Sequence, residues 1–277
     1  HEKELGQLFC DESSKLIVKM LLDECAAAGV RIETSCSVER VVHGEGTAGA
    51  PFRLHTTHGV FVATSLVVAS GGLSIPSMGA SGFGYELARQ FGHELLPTRA
   101  GLVPLTLSGK HQERLADLSG VAFPVEARCG KAHFRNFMLL THRGVSGPAI
   151  LQISSYWQPG DELHLDLLPG QDALDTLQRW QRERPAAELK TVLGDALPKR
   201  FAQRLCEHWL PNRPMKQFNL PELRQIAEVL QAWPLVASGT EGYRTAEVTL
   251  GGVDTDSLSS TTMQSRQVPG LYFIGEV

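Results

Sequence analysis

Two glycine-rich stretches carry the residue types from which a cofactor site can be built. In "LVVASGGLSIPSMGASGFGYELARQFGH", residues 66–93, an apolar run ends in Ala69, Ser70, Gly71 and Gly72. Small residues at the carboxyl end of a buried strand let a flat cofactor or a phosphate chain approach the backbone. In "AEVTLGGVDTDSLSSTTMQSRQVPGLYFIGEV", residues 246–277, Gly251 and Gly252 make a turn, and Pro269-Gly270 opens an apolar strand that ends in Gly275 and Glu276. A glycine followed by an acid at such a tip can meet a ribityl or ribose hydroxyl. Each stretch also has a plainer reading: a tight turn that touches nothing, and a buried strand that ends in a surface acid.

Other chemistry-bearing patterns fail on context. Gly44, Gly46 and Gly49 spell G-x-G-x-x-G, but that fingerprint works only between a strand and a helix, whose N-terminus receives the pyrophosphate. Here Pro51 and strand-like sequence follow, so the stretch reads as a hairpin loop between antiparallel strands. "THRGVSGPAIL" offers His142, Arg143 and Ser146, yet G-V-S-G is not the G-x-S-x-G of a nucleophile elbow. Ser146 before Gly147-Pro148 reads instead as a helix cap with proline in the first turn. Tyr243 and Arg244 in "EGYRTAE" could clamp a carboxylate or lie in a solvated turn. No residue stands out as catalytic acid or base. The five cysteines form no C-x-x-C and the ten histidines no H-E-x-x-H, so reduced thiols and no metal site are expected.

These segments must be positioned by a sizeable fold. The 277 residues are 42% hydrophobic and 20% charged, ordinary values for a globular chain. A net charge of −4 supplies no basic footprint for nucleic acid. No apolar run approaches the roughly 20 residues that span a bilayer, and the first residues do not read as a signal peptide. The expectation is a cytoplasmic protein with a small-molecule substrate, no nucleic-acid or membrane partner, and an oligomeric state that the sequence leaves open.

Residues 14–28 read as a helix with Ile17, Met20, Leu21, Cys25 and Ala28 on its inner face, capped by Ser13 or Ser14 and closed by Gly29. "VRIETSCSVERVV" reads as extended chain, and "FRLHTT" and "VFVATSLVVAS" as strands of a small meander. "SLVVAS" is apolar enough for a strand covered on both faces. "YELARQF" reads as a helix closed by Gly92, with Leu87 and Phe91 inward. From Thr98 to Pro169 strands dominate, with one short helix at "GPAILQISSYW". From 172 to 233 the composition is helical, divided by Pro185, Pro198, Pro211 and Pro221, and Leu223, Ile226, Ala227 and Leu230 share one face of the last helix.

Taken together, these segments resemble the BaiN/YhiN-like flavoproteins, FAD-dependent oxidoreductases of the glutathione-reductase-type FAD fold, and most of all the enterobacterial YhiN-type proteins. "HEKELGQLFC", "LPTRAGLVPLTL", "LLTHRGVSGPAILQISSYWQPG", "GTEGYRTAEVTLGGVDT" and "VPGLYFIGEV" carry the resemblance along nearly the whole chain. It implies an α/β fold: an incomplete FAD-binding domain, with a parallel sheet and an antiparallel meander, in residues 1–98 and 246–277. A Greek-key β-barrel insertion would occupy 99–171 and 239–245, with a helical subdomain at 172–238. The bound cofactor would be FAD, with NAD(P)H as the candidate electron donor, in a bacterial cytoplasmic enzyme acting on an unidentified small organic substrate.

The resemblance further implies that Val38 meets the adenine through its backbone. Ala69, Ser70, Gly71 and Gly72 would line the cofactor, with Ser70 where the family usually has threonine. Thr249, Gly251 and Gly252 would lie near the flavin ring, and Gly275 and Glu276 at its end. The family's opening strand, G-x-G-x-x-G and helix, and the helix after its Gly-Glu motif, have no counterpart here. The chain is therefore expected to be an internal piece of a longer protein. The alternatives are a non-catalytic fragment that does not retain FAD, or an insertion-domain binding module.

Overall fold

The computed structural model describes residues 1–2, 6–44 and 51–277. The chain divides into two units, His1–Ser65 and Leu66–Val277.

The first unit contains helix α1 (Lys15–Ala27) and strands β1 (Val38–His43), β2 (Phe52–Thr56) and β3 (Gly59–Ala63). The strands form an antiparallel meander, with His43 opposite Phe52 and Thr56 opposite Gly59. The strands flanking the Gly44–Gly49 stretch thus pair as a hairpin, and residues 45–50 lie outside the described residues. Only Val38–His43 of the extended run forms a strand; residues 30–36 enter no ladder. Val41 and Phe52 are buried, whereas α1 has no buried residue: Ile17, Met20 and Leu21 are 48%, 51% and 56% exposed. The expected inner face is therefore uncovered within this unit. Helical spacing establishes that a face is apolar, not that another element covers it. Of the two serines expected to cap α1, Ser13 does so, its Oγ accepting from Lys15 N at 3.2 Å, whereas Ser14 makes no side-chain cap bond.

The second unit opens with β4 (Leu66–Val68), α2 (Phe83–Gln90), β5 (Leu95–Gly101), β6 (Leu105–Thr106) and α3 (Gly109–Leu115). Next come β7 (Ala122–Cys129), β8 (Ala132–Leu140), β9 (Gly144–Ser146), α4 (Pro148–Ser154) and β10 (Glu162–Asp166). Helices α5 (Ala173–Glu183), α6 (Leu189–Ala196), α7 (Lys199–His208) and α8 (Leu220–Gln231) follow. Strands β11 (Trp233–Val236), β12 (Gly239–Thr240), β13 (Val248–Val253) and β14 (Leu271–Phe273) complete it.

Seven strands form one antiparallel sheet in the order β11-β10-β7-β8-β9-β6-β12. Along β7, Phe123, Val125, Ala127 and Cys129 are buried, the period-2 pattern of a sheet with one covered face. Helix boundaries follow the prolines. Pro185 lies just beyond α5, Pro198 is the N-cap of α7, Pro211 lies beyond α7, and Pro221 sits in the first turn of α8. Asn219 and Glu222 form a reciprocal capping box at α8, a device worth about 1 kcal/mol. The buried face of α8 is Leu223, Ile226, Ala227 and Leu230. Sheet and helices share one core, in which Phe201 links Phe123 (ring centroids 4.6 Å apart) to Trp233 (5.5 Å).

Two expectations in this unit change. Ser146 is not a helix cap: it ends β9, opposite Leu139, and the N-cap of α4 is Gly147 at φ +89°. A Cβ at Gly147 would come 2.7 Å from Phe137 O and 2.8 Å from Leu139 N, so the chain turns there against β8. In "SLVVAS" only one face is covered: Val68 is buried and Val67 is 51% exposed. A run of apolar residues cannot distinguish one covered face from two.

Candidate functional site

β14 lies parallel to β4, with Leu271 opposite Leu66 and Phe273 opposite Val68, and Ile274 N donates to Val68 O at 3.0 Å. The segments following both strands, Ala69–Gly72 and Gly275–Glu276, therefore leave the sheet side by side. β13 pairs antiparallel with β5, and its register shifts between Leu250 and Gly252. At that irregularity Gly252 (φ +111°) approaches the chain end: Val253 N donates to Val277 O at 3.1 Å, and a Cβ on Gly252 would sit 2.6 Å from that oxygen. Gly251, at the shift itself, lies against the backbone of Leu96 and Pro97.

Thr249 ties these pieces together. Its Oγ1 accepts from Leu73 N at 2.8 Å and from Ser74 N at 3.1 Å, and lies 3.0 Å from Ser74 Oγ. Thr249 N donates to Glu276 Oε1. A Cβ on Gly72 would lie 2.6 Å from Thr249 Cβ and Oγ1 and 3.0 Å from Glu276 Oε1, so only glycine fits between them. Gly72, Thr249 and Gly252 are buried, while Ala69, Ser70, Gly275 and Glu276 are exposed: a buried floor under an exposed lip. Gly71 (φ +73°) and Gly275 (φ +77°) have nothing within 4 Å of a built Cβ. Backbone at both tips is thus open to a flat ligand, in the left-handed conformation that glycine adopts without strain.

Two groups bordering this site were not singled out by sequence. Tyr85 on α2 is buried, its ring lies beside Gly252, and its hydroxyl has no partner among the described residues. Burial, with smaller contributions from Glu276 and Tyr243, pushes that hydroxyl above its usual range, so it stays a neutral donor. An unpartnered buried hydroxyl costs about 1–3 kcal/mol, so it is a group with capacity for a further hydrogen bond. The second is His93, buried just past α2, with Nδ1 2.7 Å from Ser257 Oγ and Nε2 2.9 Å from Ser265 Oγ. Its ring meets Phe273 edge-on at 5.0 Å, and Ser265 Oγ also accepts from Gln267 N and Val268 N. His93 thus anchors the chain entering β14, and burial lowers its pKa. Neither residue carries a local signal, since each reads as an ordinary position in or after a helix.

The remaining candidates fall as follows. Tyr243 O accepts from Ile75 N at 2.8 Å, which brings the Tyr243 segment beside the first glycine-rich turn. Arg244 and His142 are exposed, and Arg143 Nη1 lies 3.5 Å from Glu241 Oε2. Val38 begins β1 in the His1–Ser65 unit and is described apart from this site. Among the described residues, no group of three histidine, cysteine or acidic side chains could hold a metal. No described helix is long and apolar enough to cross a membrane.

Residues 99–248 match the family described as "HI0933-like protein barrel and H2TH domain". The chain is also 49% identical over 280 residues to a ribosomal RNA dihydrouridine synthase of Escherichia coli (strain K12), covering 100% of this chain and 69% of that protein. The chain belongs to the HI0933-like family. A ribosomal RNA dihydrouridine synthase of Haemophilus influenzae is 44% identical over the same shares of both chains. A 3-dehydro-bile acid delta(4,6)-reductase of Clostridium scindens is 30% identical over 233 residues, 78% of this chain and 56% of that protein. The mixed α/β architecture and the barrel-and-helix match over 99–248 agree with the family expected from the sequence motifs.

Proposed function

We propose that the protein is a flavin-dependent reductase that saturates a carbon–carbon double bond conjugated to a carbonyl, and that its substrate is a uridine in ribosomal RNA. One observation carries the flavin part: open backbone at Gly71 and Gly275 on adjacent parallel strand tips, braced from behind by Gly72, Thr249 and Glu276. The residues fit the isoalloxazine and ribityl end of a flavin. The tips admit a flat ring, and the Glu276 carboxylate stands exposed where a ribityl hydroxyl can donate to it. Tyr85 offers a buried neutral donor with no partner among the described residues. The reading keeps the proposed contacts of Ala69 and Ser70 at the lip and of Gly251 at the β13 register shift, and leaves Val38, in the other unit, as a proposed adenine contact.

FAD, when bound, supplies the hydride; the protein positions it, excludes competing reactions and tunes its electronics. Thr249 holds the turn after β4 through two backbone N–H groups, which sets the distance between the two tips. Gly72 and Gly252 let the backbones close behind them. The substrate class is supported by the relatives. Making dihydrouridine from uridine and reducing the double bonds of a 3-dehydro-bile acid are the same reaction class: hydride addition to a conjugated double bond, followed by a proton.

This departs from the expectation of a small organic substrate and no nucleic-acid partner, which rested on the net charge of −4. Net charge averages over the whole surface and does not report a local basic patch. The test is reconstitution with FAD, addition of NADH or NADPH as the proposed donor, and incubation with ribosomal RNA from cells lacking the protein. Retained flavin absorbance and new dihydrouridine, read by mass spectrometry of digested RNA, are expected. Protein that retains no flavin, or holds flavin without forming dihydrouridine, overturns the reading.

A further inference from the structure

We propose that the end of the β7–β8 hairpin, together with the turn after α4, is a docking site for an unpaired nucleotide of the RNA substrate; this rests on the activity proposed above. A cleft of about 670 Å³ lies there, in the size range of small-ligand sites. Among its walls are Lys131, His133, Phe134, Tyr156, Asp161 and Glu162. Phe134 and Tyr156 stand with ring centroids 5.6 Å apart, and Tyr156 is 57% exposed, so its ring face can receive a base. An exposed aromatic beside a cation is how proteins bind single-stranded nucleic acid, by stacking a base and neutralising its phosphate.

The cleft carries charges of both signs, with Lys131 as the cation that can meet a phosphate and Asp161 and Glu162 as acids that can accept from a base. Lys131 and His133 are exposed at the hairpin turn and form no ion pair among the described residues. Arg128 lies opposite His133 in the ladder and is paired with Glu126. Of the two acids, Glu162 lies 3.5 Å from His164, and Asp161 accepts from Gln158 N at 2.9 Å. Asp161 and Glu162 retain free lone pairs that can accept from base N–H groups. The platform is rigidly held: Arg99 of β5 donates to the carbonyls on either side of Tyr156, Ser155 O at 2.6 Å and Trp157 O at 3.2 Å. β5 is the partner of β13, which carries Thr249, Gly251 and Gly252. The cleft and the proposed flavin site therefore share one scaffold.

The experiment measures binding of a fluorescein-labelled, unstructured ribosomal-RNA oligonucleotide to the FAD-loaded protein across a salt series, with dihydrouridine scored in the same samples. Tyr156→Ala is expected to raise Kd about tenfold, the loss of one stacked base, and Tyr156→Phe to restore it. Lys131→Gln is expected to reduce the slope of log affinity against log salt by about one. Flavin absorbance and reduction by dithionite stay unchanged in all three, as none touches the flavin site. Variants that bind RNA as the wild type does, from a wild type that forms dihydrouridine, overturn the docking site alone. Variant-sensitive binding without dihydrouridine supports the docking site and overturns the activity. A wild type that neither binds nor modifies RNA overturns both.

Discussion

Thr249 shows how one hydroxyl organises a site. It accepts from two backbone N–H groups of the turn after β4, while its own N–H holds Glu276. Thr249→Val keeps the shape but strands Leu73 N and Ser74 N, at a cost of about 1–3 kcal/mol. The expected outcome is a lower urea midpoint with unchanged slope and a weaker flavin titration, both largely restored by Thr249→Ser. An unchanged midpoint would show that the two N–H groups find water instead. The glycines and the terminal acid were legible as residue types because small residues at strand ends have a physical use. Thr249's role as an acceptor for residues 175 and 176 positions away was not, and neither was Tyr85, whose unpartnered hydroxyl exists only once α2 is packed.

Elements were legible where local chemistry sets them. Four prolines and a capping box delimit the helices between 173 and 231, and alternation along β7 marks its buried face. The short strands β9 and β12 were not, because a two- or three-residue strand has no period and is defined by its ladder partners. At this scale the anchoring of β14 by His93 makes a pH prediction. Burial lowers the folded-state pKa of His93 below its unfolded value of about 6.5. The folded state therefore favours the neutral ring. This contribution is fully present above that unfolded value and is lost as pH falls from there toward the lowered folded value. The urea midpoint should drop over that acid range in the wild type and drop less in His93→Gln. Parallel decline in both would assign the effect to other groups.

Across the whole chain, burial is uneven. The core shared by the seven-stranded sheet and α5–α8 holds most of the fully buried large side chains, whereas α1 contributes none. Local opening is easiest where few apolar contacts must be broken. Amide hydrogen exchange in this 277-residue chain should accordingly be fastest in α1 and slowest in β7, β10 and α8. Protection of α1 equal to that of α8 would contradict the burial pattern. The −4 net charge belongs to this scale too: it constrains the average field of the molecule, not the Lys131–His133 hairpin.

Amino-acid order alone was enough to mark two glycine-rich strand ends, reject the G-x-G-x-x-G at Gly44 as a phosphate loop, and place the helical block, since each follows from backbone sterics or short-range periodicity. That β4 and β14 lie parallel, that Thr249 braces Gly72 and Glu276, and that Tyr156 is held up by Arg99 emerged only on folding. Those contacts join segments far apart in the chain, and hydrogen-bond partners at such separation are chosen by packing, which no local pattern encodes.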